Sequence, residues 1–182
     1  GTPRQRGEDD THFNRPTFLV FMDANTMYLA DGYDNTRVIK YDMNGKKLLE
    51  WGMKGTPPDE RRPGYFNSVH GIAVNPKTRR VYVNDRNNGR LQVFDENGKF
   101  LDQWDFGPRP PMNIHSIYIG NDGILWAADQ GSNKLLAYDA DDAMLEHTTD
   151  GVRPASLAEV AAADVVVLAV PFSALAGVLR EI

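Results

Sequence analysis

Two histidines with similar local surroundings are the residues of this chain best suited to hold a metal ion. His70 lies in SVHGI and His115 lies in NIHSI, and they precede Asp85 and Asp129 by 15 and 14 residues (85 − 70 and 129 − 115). A neutral imidazole is a common ligand of Zn²⁺. The chain has no cysteine, so any metal site must use histidine and oxygen ligands. The pair predicts a zinc site; the alternative is two strand histidines hydrogen-bonded to neighbouring carbonyl groups.

The elements that would position these histidines occur three times along the chain. Each repeat has a short apolar strand, an Asp-led turn, a second strand that opens on a basic residue, a hairpin turn and a further strand. The three copies are LADGYDNTRVIKYDMNGKKLLEW, YVNDRNNGRLQVFDENGKFLDQW and WAADQGSNKLLAYDADDAML, at 29–51, 82–104 and 126–145. A period of about 40 to 55 residues with three or four short strands is typical of β-propeller blades.

The repeat register predicts that the two histidines meet. The turn aspartates Asp31, Asp85 and Asp129 are 54 and 44 residues apart (85 − 31 and 129 − 85), so His70 and His115 take nearly the same place at the start of an innermost strand. Equivalent inner positions of a radial repeat converge on the axis, where two imidazoles can share one zinc ion. The corresponding residue of the first repeat is a threonine, so the chain offers two histidines to this site and not three.

Composition limits the function classes. The 182 residues are 41% hydrophobic and 25% charged, as in ordinary globular domains, and the net charge is −5. Nucleic-acid binding draws its affinity from clustered Lys and Arg, so no nucleic-acid partner is expected. Proline divides the apolar run ADVVVLAVPFSALAGVL, so a soluble protein is predicted and no membrane span. The chain begins with Gly and has no leader-like segment, which leaves the compartment open, including a secreted or periplasmic parent.

The fold class predicted from these patterns is all-β, with a partial β-propeller followed by a short α/β segment. Residues 1–12 are polar and predict a flexible lead-in, and 13–147 predict about three four-stranded blades. The last strand of the third blade is expected near Met144. Residues 150–182 predict a helix, a β-branched strand and a second helix.

The first blade predicts its strands most clearly. They are expected at Thr17 to Met22, Met27 to Ala30, Thr36 to Tyr41 and Lys47 to Trp51. Aspartates at the turns and strand ends are assigned to local hydrogen bonds; they are Asp31, Asp42, Asp85, Asp95, Asp129 and Asp139. The three tryptophans are assigned to packing between blades.

The strings FNRPT, ADGYDNTRVIKYD, SVHGIAV and NDRNNGRLQVFD resemble NHL repeats over about residues 13–145. They resemble in particular the peptidyl-α-hydroxyglycine α-amidating lyase branch of the six-bladed propellers. The resemblance implies a zinc ion held by three histidines on the propeller axis. It also implies cleavage of a C-terminal α-hydroxyglycine into a peptide amide and glyoxylate.

The same resemblance implies a role for individual residues. His70 and His115 match zinc ligands, Tyr33 in DGYDN matches the catalytic tyrosine that accepts the substrate hydroxyl proton, and Arg86 in NDRNNGR matches the arginine that holds the substrate carboxylate. Other roles stay open: Tyr33 as a turn residue that caps a blade, and Arg86 as the partner of an aspartate. The family places an aspartate after the second histidine as a calcium ligand, whereas this chain has Ser116, which argues against calcium.

The segment 151–182 resembles a piece of the deazaflavin-dependent NADP oxidoreductases and their Rossmann-type relatives. A dinucleotide site would need a GxGxxG fingerprint, and none occurs in the chain, so NADP binding is not expected. The alternative is an α/β appendage or a junction of two gene fragments.

Three functions therefore remain in view. The first is a zinc-dependent lyase of the amidating type that acts on a peptide or small-molecule substrate, with a site that is incomplete in this chain. The second is a non-catalytic NHL propeller that binds a protein or ligand, and the third, from the C-terminal segment, is an NADP-dependent oxidoreductase. Three blades leave two apolar blade faces open, so self-association or an aggregation-prone monomer is also predicted.

Overall fold

The computed structural model describes residues 4–56, 60–106, 112–140 and 153–154. The first sheet is antiparallel, with its strands in chain order. Its strands are β1 (Pro16–Phe21), β2 (Thr26–Asp31), β3 (Arg37–Asp42) and β4 (Lys47–Trp51). Each of the four predicted strands is present, with bounds that differ from the prediction by at most one residue.

A two-stranded parallel pair, β5 (Met53–Lys54) and β6 (Tyr65–Phe66), links the first sheet to the second. The second sheet repeats the antiparallel order of the first. Its strands are β7 (Val69–Asn75), β8 (Arg80–Asp85), β9 (Arg90–Asp95) and β10 (Phe100–Asp105). The third sheet contains β11 (Ile114–Ile119), β12 (Ile124–Asp129), β13 (Lys134–Asp139) and the short β14 (Arg153–Pro154).

The end of the third sheet differs from the sequence-based expectation. Its fourth position is taken by β14, which pairs with β13, whereas a last strand was predicted near Met144. Met144 lies outside the described residues, as do the helices and the β-branched strand predicted for the C-terminal segment. In the described part of the chain, no helix has the length and apolarity needed to cross a membrane.

Two apolar clusters hold the sheets together. One cluster joins buried side chains of the first and second sheets, including Tyr28, Val38 and Ile72, and the other joins the second and third, including Tyr82 and Ile117. Aromatic rings also pack across both contacts between sheets. Two of the tryptophans take part, as predicted. Trp51 packs on Phe94 with ring centroids 5.5 Å apart, and Trp104 packs on Tyr138 at 6.4 Å. The third tryptophan, Trp126, is the third residue of β12 and is only partly buried.

The turn aspartates have the hydrogen-bonding roles predicted for them. The first Oδ atoms of Asp42 and Asp95 accept backbone N–H bonds that close the two Asn-Gly hairpins. Asp31, Asp85 and Asp129 each accept a backbone N–H from the asparagine that precedes their inner strand. This shared bond ties the start of each inner strand to the end of its neighbour. The side chain of Asp139 lies outside the described part.

Two buried arginines fix the segments that lead into the first and second sheets. Arg90 donates to the carbonyl oxygens of Arg62 and Tyr65. Arg37 holds the equivalent place in the first repeat, and it donates to the carbonyl oxygens of Asp9 and His12. These two residues are three positions apart (12 − 9), as Arg62 and Tyr65 are (65 − 62). The lead-in predicted to be flexible thus follows the path of an interblade linker next to Arg37. Its flexibility stays a prediction.

Candidate metal and substrate site

The inner strands present one side chain each at an irregularity in their pairing. Pro16, Val69 and Ile114 pair with Asp31, Asp85 and Asp129, and in each strand the register shifts at the next position. The residues at these shifts are Thr17, His70 and His115. A β-bulge re-aims the side chain that it contains, and bulges are common beside functional sites. The structure therefore gives these three residues equivalent places.

Polar contacts connect the starts of the three inner strands, β1, β7 and β11. The Thr17 hydroxyl donates to the carbonyl oxygen of Val69 at 2.9 Å. Nδ1 of His70 lies 2.8 Å from the carbonyl oxygen of His115, so Nδ1 must carry the proton that it donates. The two imidazole rings have centroids 4.6 Å apart. The structure thus brings the two candidate metal ligands together.

Tyr33 also contacts this group of residues, through His70. Its hydroxyl oxygen lies 2.8 Å from Nε2 of His70, and the ring meets the imidazole edge-on with centroids 5.1 Å apart. Because Nδ1 holds the imidazole proton, Nε2 accepts and the phenol donates. Tyr33 as a whole residue is 42% exposed, so a ligand can reach it from solvent.

Gly32 permits the close approach of the DGY turn to the second sheet. A Cβ atom at this position would lie 1.5 Å from the carbonyl oxygen of Val69, in the neighbouring inner strand. Real Cβ atoms do not come so close to a backbone oxygen, so any larger residue would push the turn away from the second sheet. The glycine therefore lets the DGY turn place Tyr33 against His70.

The environment of His70 keeps its imidazole neutral. Burial lowers its pKa, and the Arg86 guanidinium lowers the pKa further, against the opposing effect of the hydrogen bond to His115. A neutral imidazole has a lone pair on Nε2, which is the form required of a metal ligand. Arg86 is thus close enough to act on this site electrostatically.

The lowered pKa of His70 predicts how stability depends on pH. Between its folded pKa and its ordinary value of 6.5, the unfolded chain binds more protons than the folded chain. The contribution of a neutral His70 is therefore present above that range and is lost as pH falls through it. Urea unfolding of the wild type and of His70→Gln should differ less below about pH 5.5 than above about pH 7.5. A difference that did not change with pH would contradict the assignment.

Arg86 opens a 3-10 turn, Arg86–Asn88, that Gly89 ends with a left-handed conformation. Its backbone N–H donates to the carbonyl of Ser68, two residues before His70, and its Nε donates to Oδ1 of Asn113 at 2.8 Å. The guanidinium plane is thus oriented by an amide from the third sheet. An oriented guanidinium can bind a carboxylate with two parallel hydrogen bonds.

Buried polar atoms without a hydrogen-bond partner among the described residues lie near these groups. One is the hydroxyl oxygen of Ser68, and another is Oδ1 of Asn84, whose Nδ2 donates to the carbonyl oxygen of Ile114 at 2.8 Å. Unsatisfied buried polar atoms are rare in folded proteins and call for a water, an ion or a ligand. The inner-strand starts therefore have hydrogen-bonding capacity that a ligand could use.

The donor set fits part of a zinc site. His70 and His115 supply two nitrogen ligands of the type that zinc prefers. In the described ranges, no group of three or more His, Asp or Glu side chains could hold a metal ion. The described residues therefore match a zinc site in two candidate ligands, His70 and His115, and in no third.

Two further residues of this site were not predicted from the sequence. Arg15 places its guanidinium carbon 4.7 Å from the centroid of the Tyr33 ring, and Asn113 orients Arg86. Asn113 could have been found from the repeats, because an asparagine precedes each inner strand: Asn14 and Asn67 by two residues and Asn113 by one. No pattern in the sequence distinguishes Arg15.

Three successive antiparallel sheets, packed face to face with their inner strands side by side, define the blades of a β-propeller. A family model described as a 6-bladed beta-propeller matches residues 65–162, more than half of the chain. The chain belongs to this 6-bladed β-propeller family. The predictions of the family and of an all-β partial propeller are confirmed.

Curated relatives narrow the resemblance. Peptidyl-glycine alpha-amidating monooxygenase A of Xenopus laevis is 33% identical over 134 residues, which are 71% of this chain and 14% of the relative. Peptidyl-alpha-hydroxyglycine alpha-amidating lyase 1 of Drosophila melanogaster is 33% identical over 96 residues, 50% of this chain and 18% of the relative. NHL repeat-containing protein 3 of Mus musculus is 36% identical over 110 residues, 58% of this chain and 30% of the relative. The protein is an NHL-type propeller related to amidating lyases, and it spans a minor part of each relative's length.

Proposed function

We propose that this chain carries part of an amidating-lyase-type active site, which cleaves the C–N bond of an N-acylated α-hydroxyglycine. Its metal ligands are His70 and His115, its proton acceptor is Tyr33, and its carboxylate anchor is Arg86. The observation that carries the proposal is the 2.8 Å contact between the Tyr33 hydroxyl and Nε2 of His70. This contact places a phenol oxygen next to the lone pair that would bind the metal.

The reaction needs one proton acceptor and one proton donor. A zinc ion, when bound, would polarise the hydroxyl oxygen of the substrate. Tyr33, after its own phenol proton has been released to solvent, accepts the hydroxyl proton; the O–H electron pair becomes the carbonyl bond of glyoxylate as the C–N bond breaks. The amide nitrogen keeps the electron pair of the broken bond and takes up the proton that Tyr33 accepted. The products are one amide and one glyoxylate, so atoms and electrons balance.

The remaining residues orient the substrate and the catalytic groups. Arg86 is held by Asn113 before the substrate arrives, so little side-chain entropy is lost when its guanidinium binds the carboxylate. The carbonyl of His115 fixes the His70 imidazole with Nδ1 protonated. Tyr33 is partly exposed, so a substrate can reach it from solvent.

Zinc retention tests the ligand assignment. We expect the full chain, loaded with zinc and dialysed, to retain metal, and His70→Ala and His115→Ala each to lose most of it, since each removes one of two protein ligands. His12→Ala is the matched control, because His12 contacts Asp9 and Thr11 in the lead-in and should not affect retention. Metal content by mass spectrometry gives the readout. Full retention in the His70→Ala, His115→Ala double variant would reject the assignment.

A second candidate is a non-catalytic NHL propeller that binds a protein or ligand. The identity of 36% to NHL repeat-containing protein 3 favours it, and so does the lack, among the described residues, of any group of three or more His, Asp or Glu side chains that could hold a metal ion. Measurement of product formation distinguishes the two candidate functions. A lyase releases glyoxylate from an N-acylated α-hydroxyglycine, whereas a propeller that only binds leaves this substrate unchanged.

A further inference from the structure

Two residues that directly precede inner strands have a left-handed backbone conformation. Arg15 precedes β1 with φ of 63°, and Ser68 precedes β7 with φ of 78°. Residues other than glycine rarely adopt a positive φ, because it brings Cβ too close to the backbone. Pro16 follows Arg15, and a residue before proline favours an extended conformation. The local sequence therefore does not explain this conformation, and contacts with the rest of the fold must hold it.

The carbonyl groups of these two residues hold the turns that carry Tyr33 and Arg86. The backbone N–H of Tyr33 donates to the carbonyl oxygen of Arg15 at 3.4 Å, and the backbone N–H of Arg86 donates to that of Ser68 at 3.1 Å. Each turn directly follows the second strand of its sheet, β2 or β8. The same kind of hydrogen bond thus ties two residues of the proposed reaction to the start of an inner strand.

The third sheet is built without such a left-handed residue. Asn113 directly precedes Ile114, the first residue of β11, so this sheet has no residue at the position of Arg15 and Ser68. The carbonyl oxygen of Asn113 itself accepts the backbone N–H of Gln130, in the turn after β12, at 3.1 Å. That turn carries none of the residues assigned to the reaction. A left-handed residue is therefore not required to form a blade, and it occurs in the two sheets whose turns carry reaction residues.

The side chains of the two left-handed residues restrain the turns weakly. The Arg15 guanidinium lies over the Tyr33 ring, and its Nη1 is 3.4 Å from Oδ1 of Asp34. The side chains of Arg15 and Asp34 are 52% and 36% exposed, and an exposed ion pair contributes little. The Ser68 hydroxyl has no hydrogen-bond partner among the described residues. The restraint that both residues share is thus the backbone carbonyl group.

We propose that these two left-handed residues position Tyr33 and Arg86 for the reaction. Sparsely populated backbone conformations persist where the surrounding structure holds them, and they cluster at active sites. The carbonyl of Arg15 determines where the Tyr33 phenol meets His70, and the carbonyl of Ser68 determines where Arg86 presents its guanidinium. The effect on the reaction rests on the proposed function, whereas the effect on the contact between Tyr33 and His70 does not.

Glycine and valine substitutions at Arg15 separate the backbone from the side chain. Both variants lack the guanidinium, but glycine adopts a positive φ without strain, whereas β-branched valine disfavours it. Arg15 is exposed, so both variants should keep the circular dichroism spectrum of the wild type, and Arg15→Thr repeats the test with a polar β-branched residue. We expect the imidazole NMR signals of His70 in Arg15→Val to shift toward those of Tyr33→Phe, which lacks the hydroxyl contact. In Arg15→Gly they should stay close to the wild-type signals.

The kinetic constants give a second readout, because the two positions should affect different constants. The turnover number of Arg15→Val is expected to be about tenfold or more below that of Arg15→Gly, since a small misplacement of a reacting group is costly. Ser68→Val is expected to have a KM about tenfold above that of Ser68→Gly, since Arg86 would bind the carboxylate less well. Arg79→Val is the control: Arg79 has φ of 57° but lies in the turn between β7 and β8, at the far end of β7 from His70. It should change stability and leave both constants unchanged.

The NMR and kinetic results test the positioning and the proposed function separately. Shifted His70 signals in Arg15→Val, with wild-type signals in Arg15→Gly, support the positioning even if the wild-type chain releases no glyoxylate, a result that would reject the lyase function alone. Shifted signals with equal turnover numbers would overturn the effect on the reaction. Equal signals and equal turnover numbers in the two variants would overturn the role of Arg15 and leave the proposed function intact. Equal KM values in Ser68→Val and Ser68→Gly would do the same for Ser68.

Discussion

Tyr33→Phe is expected to lower the turnover number for an N-acylated α-hydroxyglycine by about 10² to 10⁴-fold, the usual contribution of a positioned general base. The substitution removes the oxygen that lies 2.8 Å from Nε2 of His70 and leaves the ring. Since 42% of Tyr33 is exposed, the loss of its hydroxyl should not disturb the core. The readout is the initial rate of glyoxylate release at saturating substrate.

Two further variants show whether the effect belongs to the reaction. Arg86→Ala should mainly raise KM, since its proposed contact with the carboxylate forms when the substrate binds. Tyr65→Phe is the control, because the ring of Tyr65 packs under Arg62 in the linker, and Arg90 contacts its backbone carbonyl, which the substitution keeps. Turnover at the wild-type rate by Tyr33→Phe would rule out the proposed proton acceptor and leave the fold assignment unaffected.

Arg90→Ala is expected to produce the largest loss of stability, about 3 to 5 kcal/mol in the free energy of unfolding. Arg90 and Asp85 are both 0% exposed and form an ion pair with Nε and Oδ2 2.8 Å apart. Alanine would leave the Asp85 carboxylate buried without its cation; the carbonyl oxygen of Arg62 would lose this donor, and that of Tyr65 would keep only the donor from Gln92. Urea unfolding measures the change.

The loss caused by Arg90→Ala should depend on pH. Burial raises the pKa of Asp85, against the effect of its hydrogen bonds and of Arg90, and removal of Arg90 raises it further. Above that raised pKa the buried carboxylate is charged and unpaired, whereas below it the carboxyl is neutral, so the variant should lose less stability in acid. Arg61→Ala is the control: its pair with Asp105 is exposed and should contribute at most about 1 kcal/mol. An Arg90→Ala loss as small as that of Arg61→Ala would contradict the account of the buried pair.

The repeats made most of the fold predictable. Alternating apolar residues and the Asn-Gly turns defined the first sheet, because hairpin turns and side-chain alternation set strand positions and register locally. The equivalence of His70 and His115 followed from their spacing to Asp85 and Asp129. The decay of the third repeat after Asp139 removed the hairpin turn, so the position of its last strand could not be predicted in the same way.

The details of the site depended on contacts between repeats, which local patterns do not encode. The hydrogen bond from Tyr33 to His70 requires the close approach of Gly32 to the second sheet, and the hydrogen bond from Arg86 to Asn113 crosses from the second sheet to the third. Such contacts follow from how the blades pack on one another.

Product analysis of the zinc-loaded wild-type chain tests the central claim most directly. After incubation with an N-acylated α-hydroxyglycine, the account predicts amide and glyoxylate in equal amounts, at a rate above that of the uncatalysed reaction and of Tyr33→Phe. Substrate that disappears no faster than without protein, under conditions in which zinc is bound and the chain is folded, would contradict the lyase function and favour a propeller that only binds.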